Sequence, residues 1–304
     1  MMKVITLEEL IKLKANCAVA IGFFDGIHLG HQCVIKNMTH HAKTNCLKSV
    51  VITFDKSPKV ALGYTQNSGQ LTPLTEKLFL LKKMNVDYTL IIKFDTTLKN
   101  LTASQFIKTY LETINAKFIS IGFDFKFGQG GVGSADFLVN KTAFKIQVAN
   151  PVLINGTKIS TTQIKNSLVK GNLSCVTRML GRTYAINGKV IYGKQLGRTI
   201  GFPTANLLLN EDTLLPSPGV YATATYVDGN KFASMTNIGF NPTVTQDGEL
   251  TIETHLLNNK QNLYGQNLRI EFYEKIREEM KFDGLDALVE QLERDKKFVE
   301  DLSI

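Results

Sequence analysis

The chain has 304 residues, of which 43% are hydrophobic and 20% are charged, a composition typical of folded globular proteins and not of disordered ones. The longest clean apolar run, Ala18 to Phe24, is far shorter than the about 20 residues that a membrane helix needs, so we expect no membrane partner. The formal net charge of +8 suits anionic partners, but the positive residues are scattered, which favours phosphorylated small molecules over nucleic acid.

The cysteine pattern predicts a reducing compartment. The 4 cysteines show neither CxxC nor zinc-ligand spacing, so we expect free thiols. The N-terminal residues lack the charged and apolar regions of a signal peptide, and we therefore expect a cytoplasmic protein. Nothing in the sequence requires an oligomer.

The first half alternates short apolar runs with helical spacing. The predicted strands are residues 18–21, 49–54, 88–94 and 118–121, and the predicted helices are residues 30–43, 74–84 and 102–111. Short buried strands separated by helices predict an α/β domain, in which a parallel sheet carries helices on its faces.

The second half changes character at about Tyr184, where turn signals replace the helical period. Asn187-Gly188, Asp228-Gly229 and Asp247-Gly248 each lie between runs rich in β-branched and aromatic residues. These dipeptides favour tight hairpins, and three hairpins in one half predict an antiparallel β-barrel. An amphipathic helix is expected from Gly284 to Leu302, and the domain boundary is expected between residues 181 and 182.

The junction segment, residues 22–31 (GFFDGIHLGH), lies where the first buried strand passes into a helix. The first N–H groups of a helix have no intrahelical partners, and together with the helix dipole they favour phosphate. His28 and His31 are three residues apart, so both can face one phosphate if the helix begins here. Two imidazoles could donate hydrogen bonds to the charge that builds up at the α-phosphate during nucleotidyl transfer. Two surface histidines beside a turn are the structural alternative.

An HxGH pattern after a strand resembles the nucleotidylyltransferase superfamily, and the longer GFFDGIHLGH form resembles its FMN adenylyltransferase branch. Segments 53–58, 121–128 and 159–165 fit the same branch, at strand ends or at a helix start, where open α/β sheets bind ligands. The resemblance implies a Rossmann-like domain over residues 1–181. It implies catalytic roles for His28 and His31, ATP contacts from Gly22, Phe23, Asp25, Gly30, Ser160, Thr162 and Lys165, and flavin contacts from Asp124, Phe125 and Phe127.

The chain departs from that family at several basic positions. Lys126 stands where the family usually has arginine, and Gln129 and Gly131 stand where it usually has a basic pair. Gln163 and Lys165 replace the arginines of its helix-opening motif, and Ser160 with Gln163 also fits a capping box. Lysine replaces the charge of arginine without its paired donors, so these positions leave open a domain that binds nucleotide or flavin without adenylyl transfer.

The second half resembles riboflavin kinase over nearly all of residues 181–300. The matching segments are 193, 197–207, 215–222, 236–243, 252–257, 263–265 and 276–282. The resemblance implies a riboflavin kinase-like barrel over residues 182–304, ending in a helix.

Residue chemistry suits phosphoryl transfer at this second site. Thr204 and Asn206 are two apart, so in an extended segment both side chains can meet one Mg²⁺. Glu253, in an alternating strand, can accept the proton of an attacking hydroxyl. The resemblance implies ATP contacts from Gly193, Gly197, Arg198, Gly201 and Pro203, and a flavin contact from Arg277.

Together the two resemblances imply one chain that phosphorylates riboflavin to FMN and adenylylates FMN to FAD, using ATP and a divalent metal such as Mg²⁺. Two alternatives stay open at this point. One is a riboflavin kinase whose N-terminal domain lacks adenylyl transfer, and the other is a non-enzymatic basic binding protein.

Overall fold

The computed structural model describes residues 2–61, 63, 69–193, 195–209, 212–241, 249–259, 261–302 and 304. These residues form two compact units, Met1–Thr161 and Thr162–Ile304. Among the described residues, no helix is both long enough and apolar enough to cross a membrane. All four cysteines are free thiols, as the sequence predicts.

The first unit alternates strands and helices, as predicted. Its strands are β1 (Lys3–Ile5), β2 (Cys17–Ile21), β3 (Lys48–Phe54), β4 (Tyr88–Ile92), β5 (Ala116–Gly122), β6 (Lys145–Ala149), β7 (Leu153–Ile154) and β8 (Thr157–Lys158). Its helices are α1 (Leu7–Lys12), α2 (Leu29–Thr44), α3 (Pro58–Ala61), α4 (Leu74–Lys83), α5 (Thr96–Asn100), α6 (Ala103–Phe106) and α7 (Ala135–Lys141). The helix expected over residues 102–111 is α6 followed by a π-helix, Ile107–Glu112.

Six parallel strands form the main sheet in the order β1-β4-β3-β2-β5-β6. From β2 the chain first builds outward through β3 and β4, and it then crosses to the other side of β2 to form β5. The strand order therefore reverses between β2 and β5. Open α/β sheets bind ligands at the carboxyl ends of the strands that flank such a reversal.

Alternate residues of the central strands enter two separate cores. Val19 and Ile21 of β2 pack on one face of the sheet, whereas Ala18 and Ala20 pack on the other. Burial on both faces explains why β2 is an uninterrupted apolar run, the feature from which it is predictable.

The second unit contains two helices, a closed barrel and a terminal helix. The first helices are α8 (Thr161–Val169), which begins at the last residue of the first unit, and α9 (Leu173–Leu180). The strands are β9 (Tyr184–Ile191), β10 (Ala205–Leu209), β11 (Gly219–Val227), β12 (Asn230–Asn241), β13 (Glu249–Leu256) and β14 (Asn267–Arg277), and the terminal helix is α10 (Leu285–Asp301). The barrel closes in the order β10-β13-β12-β11-β14-β9, and every pairing is antiparallel.

The three expected hairpins have different outcomes. Asp228 and Gly229 have positive φ angles of 48° and 85° and connect β11 to β12, as predicted. The turn predicted at Asn187-Gly188 is wrong, because both residues lie inside β9. A Cβ on Gly188 would be 3.0 Å from the carbonyl oxygen of Leu208, so glycine here permits close approach of the neighbouring strand. Asp247-Gly248 lies outside the described residues.

The barrel contains a buried network of hydroxyl groups. Its five members are Thr223, Thr225, Ser234, Thr236 and Thr254, each 0% exposed. They hydrogen-bond to one another at 2.8–3.5 Å, and this satisfies polar groups that would otherwise destabilise the interior.

The division into compact units falls between residues 161 and 162. Helix α9, which precedes the boundary expected from sequence, packs against β9 and β14 of the barrel. The functional boundary between residues 181 and 182 stays a prediction.

Candidate functional site

The first candidate site is the junction segment, which follows β2 and leads into α2. His28 is the N-cap of α2, with extended backbone angles, and its Nδ1 accepts a hydrogen bond from the backbone N–H of His31 at 3.3 Å. Because Nδ1 is an acceptor, the neutral imidazole carries its proton on Nε2. The helix begins at Leu29, one residue before the predicted start at residue 30, so the HxGH pattern occupies the N-cap and the first turn.

The two imidazoles of this segment lie side by side. The rings of His28 and His31 stack with centroids 3.7 Å apart, and the edge of Phe24 packs against His31 at 5.4 Å. A Cβ on Gly30 would be 3.1 Å from the His28 ring, so a side chain there would press on it. The expectation that both histidines face one small region is compatible with this stacking.

The backbone of the junction segment is held in unusual conformations. Phe24 and Ile27 have φ angles of 54° and 36°, although both are almost fully buried. A left-handed β-branched residue is an outlier that persists only where the surroundings impose it, and such outliers cluster at functional sites. A Cβ on Gly22 would be 2.9 Å from the Phe24 ring, which explains the glycine.

Asp25 points into the protein. It is 5% exposed, and its Oδ1 accepts a hydrogen bond from the backbone N–H of Thr72 at 3.0 Å. The backbone N–H of Gly26 donates to the Thr72 hydroxyl, and the Thr161 hydroxyl donates to the Asp25 carbonyl oxygen. These contacts give Asp25 a role in shaping the segment, and its role as an ATP contact stays a prediction.

Phe23 is held through both its ring and its carbonyl oxygen. Lys77 Nζ lies 4.1 Å from the ring centroid and donates to the carbonyl oxygen at 2.7 Å, and the Thr53 hydroxyl donates to the same oxygen at 3.1 Å. Lys77 received no role from the sequence, since a lysine in an amphipathic helix usually lies on its solvated face.

The segment after β5 lies on the other side of the strand reversal. Asp124 is exposed and forms a 2.8 Å ion pair with Lys158, whose Nζ also lies 4.1 Å from the ring of Phe123. Phe125 is half-buried and stacks on Phe127 at 5.6 Å. Phe127 belongs to the core of the first unit, so among these aromatic residues Phe123, 44% exposed, presents the largest accessible ring.

The residues that depart from the family pattern differ in their exposure and backbone conformation. Lys126 and Gln129 are exposed, and Gly131 has a φ angle of 69°, which favours glycine over a basic side chain. At the start of α8, Ser160 immediately precedes the first helical residue, Thr162 is exposed, and Lys165 is half-buried.

The second candidate site is a row of polar side chains on three neighbouring barrel strands and the loop before β10. We call it the Glu253 row, and it consists of Thr204, Asn206, Asn237 and Glu253. In the strand register Glu253 of β13 pairs with Asn206 of β10 on one side and with Asn237 of β12 on the other. The Thr204 hydroxyl donates a 3.3 Å hydrogen bond to the Glu253 carboxylate. Ile252 and Thr254 are buried while Glu253 is accessible, as the predicted alternation requires. The sequence assigned no role to Asn237, although its place beside Glu253 follows from the register.

Glycines allow other groups to approach this row closely. A Cβ on Gly193 would be 2.3 Å from Nδ2 of Asn206, and one on Gly197 would be 2.2 Å from the carbonyl oxygen of Phe202. Gly201 has a φ angle of 83°, in the left-handed region that favours glycine.

Three cavities meet at the row. The large cavity, about 530 Å³, is lined by residues that include Arg198, Pro203, Thr204 and Tyr264. The apolar cavity, about 300 Å³, is lined by residues that include Gly197, Phe202, Thr204, Met235, Glu253, His255, Arg277 and Leu292. The amide cavity, about 360 Å³, is lined by residues that include Gly193, Asn206, Asn237, Glu253 and Glu279. Thr204 therefore lines both the large and the apolar cavities, and Glu253 lines both the apolar and the amide cavities.

Two aromatic residues, Tyr264 at the large cavity and Tyr192 at the amide cavity, were not assigned roles from sequence. Arg198 donates a hydrogen bond to the Tyr264 hydroxyl at 3.1 Å, and Tyr192 stacks on Tyr264 at 4.0 Å. This cluster combines a positive charge with flat apolar surface, which suits a nucleotide.

Arg277 lines the apolar cavity and is held in place by an ion pair. Its guanidinium binds both carboxylate oxygens of Asp295, and Asp295 is 1% exposed on α10. The buried ion pair thus fixes Arg277 beside the apolar cavity. Asp295 could not be identified from sequence, because its partner lies 18 residues away.

Burial favours the neutral form of the His255 imidazole, which lines the apolar cavity. Burial lowers the pKa of its imidazole, against an opposing contribution from the hydrogen bond to Pro203. Its Nδ1 lies 2.8 Å from the Pro203 carbonyl oxygen, which can only accept, so Nδ1 carries the proton.

Comparisons with known proteins divide the chain in the same way as the two sites. Residues 10–163 match the family model described as FAD synthetase, and residues 180–303 match the one described as riboflavin kinase.

Curated relatives match nearly the whole chain. A protein of Listeria monocytogenes, named bifunctional riboflavin kinase/FMN adenylyltransferase, is 37% identical over 93% of this chain and 91% of its own length. A protein of the same name from Escherichia coli K12 is 36% identical over 92% of this chain and 91% of its own length.

One similar solved structure covers both units. It is a crystal structure from Streptococcus pneumoniae, named as a macrolide-efflux protein, with 32% identity, a TM-score of 0.88 and coverage of 98% of each chain. The name belongs to that protein, and the likeness shows a shared fold.

Proposed function

The chain belongs to the bifunctional riboflavin kinase/FMN adenylyltransferase family, and we propose that its two reactions occur at two separate sites. The enzyme phosphorylates riboflavin and adenylylates FMN, with ATP as co-substrate. Riboflavin is phosphorylated at the Glu253 row, and FMN is adenylylated at the junction segment. Family membership rules out the alternative of a non-enzymatic basic binding protein.

The kinase proposal depends mainly on one observation: Thr204 lines the large and apolar cavities, and it is hydrogen-bonded to Glu253. ATP would occupy the large cavity, beside Arg198 and the glycine-rich turn. The flavin ring would occupy the apolar cavity, beside Arg277. The terminal ribityl hydroxyl and the γ-phosphate would then meet where the two cavities join.

At this junction Glu253 acts as the general base. It accepts the proton of the ribityl hydroxyl as the hydroxyl oxygen forms a bond to the γ-phosphorus, and the bond from that phosphorus to the departing ADP oxygen breaks. The hydrogen bond from Thr204 orients the carboxylate for this step.

The residues of the row also fit a magnesium ion. Thr204 and Asn206 offer a hydroxyl and an amide oxygen close to Glu253, and Mg²⁺ prefers oxygen ligands and retains water or phosphate in its remaining positions. Among the described residues there is no cluster of three or more His, Cys, Asp or Glu side chains that could hold a metal, so the ion would depend on ATP phosphates for further ligands. When bound, it would neutralise charge on those phosphates.

Metal dependence tests this assignment. We expect EDTA to stop FMN formation, and we expect Asn206→Ala to raise the Mg²⁺ concentration that gives half the maximal kinase rate. Asn187→Ala, a change of the same residue type in β9 outside the row, is the control. Full kinase activity in EDTA, or an unchanged Mg²⁺ requirement in Asn206→Ala, would contradict the assignment.

Gly193→Ala should impair the kinase without unfolding the barrel. The added methyl group would meet the Asn206 amide at about 2.3 Å, and the amide can move away more easily than a backbone can. We expect kcat for FMN formation to fall at least tenfold with little change in the melting temperature. Wild-type kcat in this variant would show that the position of Asn206 does not matter.

The adenylyl-transfer proposal depends on the two stacked imidazoles in the first turn of α2. An oxygen of the FMN phosphate attacks the α-phosphorus of ATP and pyrophosphate leaves, with no covalent enzyme intermediate. His28, which carries its proton on Nε2, and His31 would donate hydrogen bonds to the charge that develops on the transferring phosphate. Gly22, Phe23, Gly30, Ser160, Thr162 and Lys165 are proposed ATP contacts, and Asp124, Phe125 and Phe127 are proposed flavin contacts.

The remaining proposals concern the setting of the enzyme. We propose that it acts in the cytoplasm on small molecules, without nucleic acid or an obligatory oligomer. The free thiols and the scattered positive charges support this setting.

A further inference from the structure

We infer that Lys77 is a positioning residue for adenylyl transfer, acting through the main chain of the junction segment; the inference rests on the proposed function of that segment. Lys77 lies on α4 and is 1% exposed, the only lysine or arginine among the buried residues that the structure describes. An ammonium group loses its hydration when it is buried, so this position needs an explanation other than solvation.

Lys77 reaches the segment at its second residue. Its Nζ donates to the Phe23 carbonyl oxygen at 2.7 Å and lies 4.1 Å from the Phe23 ring centroid. One side chain, 54 residues further along the chain, thus fixes both the main chain and the ring of Phe23. Because Lys77 is almost inaccessible, we expect it to affect a substrate through the residues that it contacts, and Phe23 is the contact that belongs to the junction segment.

The segment needs such restraint because its backbone is strained. Phe24 and Ile27 hold left-handed φ angles between Phe23 and the N-cap His28. Strain of this kind relaxes unless surrounding contacts oppose it. Thr72 holds the middle of the segment through Asp25 and Gly26, and Lys77 holds its beginning.

Buried polar side chains collect at this same place. Six of the buried polar or charged residues of the first unit lie in or beside the junction segment. Asp25 and His28 belong to it, Thr53, Thr72 and Lys77 hydrogen-bond to it, and Glu76 precedes Lys77 in the sequence. A buried charge contributes little to stability relative to a well-packed apolar side chain. Its place beside the strained segment therefore indicates a requirement of the site.

The test separates positioning from stability. Methionine matches the length and packing of lysine but removes the hydrogen bond and the charge, so Lys77→Met is expected to fold with a melting temperature near or above that of the wild type. We expect its kcat for FAD formation from supplied FMN to fall roughly 100-fold, as for a displaced reacting group, while KM for ATP and FMN changes less than threefold. FMN formation by the same preparation should be unchanged.

Two companion variants make the outcome decisive. Thr53→Val removes the other hydrogen bond to the Phe23 carbonyl oxygen without changing charge, and we expect a smaller loss of kcat than in Lys77→Met. If Lys77→Met does not fold, Lys77→Gln, which keeps a donor, should fold and retain more kcat than Lys77→Ala. Wild-type kcat in a folded Lys77→Met protein, or a Lys77→Gln protein no more active than Lys77→Ala, would overturn the inference.

His28→Asn, measured in parallel, distinguishes the two failures. If His28→Asn abolishes FAD formation and Lys77→Met does not impair it, only the role of Lys77 is wrong. If His28→Asn retains FAD formation, the assignment of the site itself is wrong.

Discussion

Glu253→Gln is expected to lower the rate of FMN formation by roughly 10²–10⁴-fold, the usual contribution of a general base. Glutamine has the shape of glutamate, and its amide oxygen can still accept the hydrogen bond from Thr204. The substitution therefore removes basicity while largely preserving the geometry of the row. Chromatography of flavins, with riboflavin and ATP supplied, measures the loss.

The same variant should still make FAD when FMN is supplied, because the junction segment contains none of the residues of the row. Glu274→Gln, which removes an exposed carboxylate from β14, is the matched control and should leave both rates unchanged. A Glu253→Gln enzyme with full kinase activity would show that another group accepts the proton.

His28→Ala should have the opposite effect, a loss of FAD formation of roughly 10²–10³-fold with FMN formation retained. Alanine also removes the N-cap of α2, which costs about 0.5–2 kcal/mol of stability and complicates the interpretation. His28→Asn avoids this problem, because asparagine is a favourable N-cap residue but lacks the imidazole.

We therefore expect His28→Asn to fold with wild-type stability and to release pyrophosphate from ATP and FMN roughly 10²–10³-fold more slowly than the wild type. An equal loss of both activities in this variant would contradict two separate sites. Unimpaired FAD formation in this variant would contradict a role for the imidazole. FAD formation by the wild type would exclude a chain that has only kinase activity, despite the departures at Lys126, Gln129 and Gly131.

The parts of the fold that the sequence predicts are those determined by local physics. Strands β2 and β3 are buried on both faces, with the apolar sequence CAVAI in β2 and the apolar core VVI in β3, and α2 begins where an N-cap and glycines interrupt such a run. The turn at Asp228-Gly229 requires positive φ angles that few other dipeptides supply.

Features that depend on distant contacts were not predictable. Asn187-Gly188 has turn chemistry, but the approach of β10 keeps it within a strand. The burial of Lys77 and the pairing of Arg277 with Asp295 depend on helices that pack against segments far along the chain. The candidate residues Thr204, Asn206 and Glu253 were predictable as a set. The place of Asn237 could be found only from the strand register, and the cavities only from the three-dimensional packing.

Mixing two variants of the full chain, each defective in one of the two activities, tests the central claim most directly. Neither Glu253→Gln nor His28→Asn alone should convert riboflavin to FAD, since each lacks one of two successive activities. An equimolar mixture with ATP and Mg²⁺ should produce FAD after a lag in which FMN accumulates. If either variant loses both activities, so that the mixture yields no FAD, the result would contradict two independent sites on this chain.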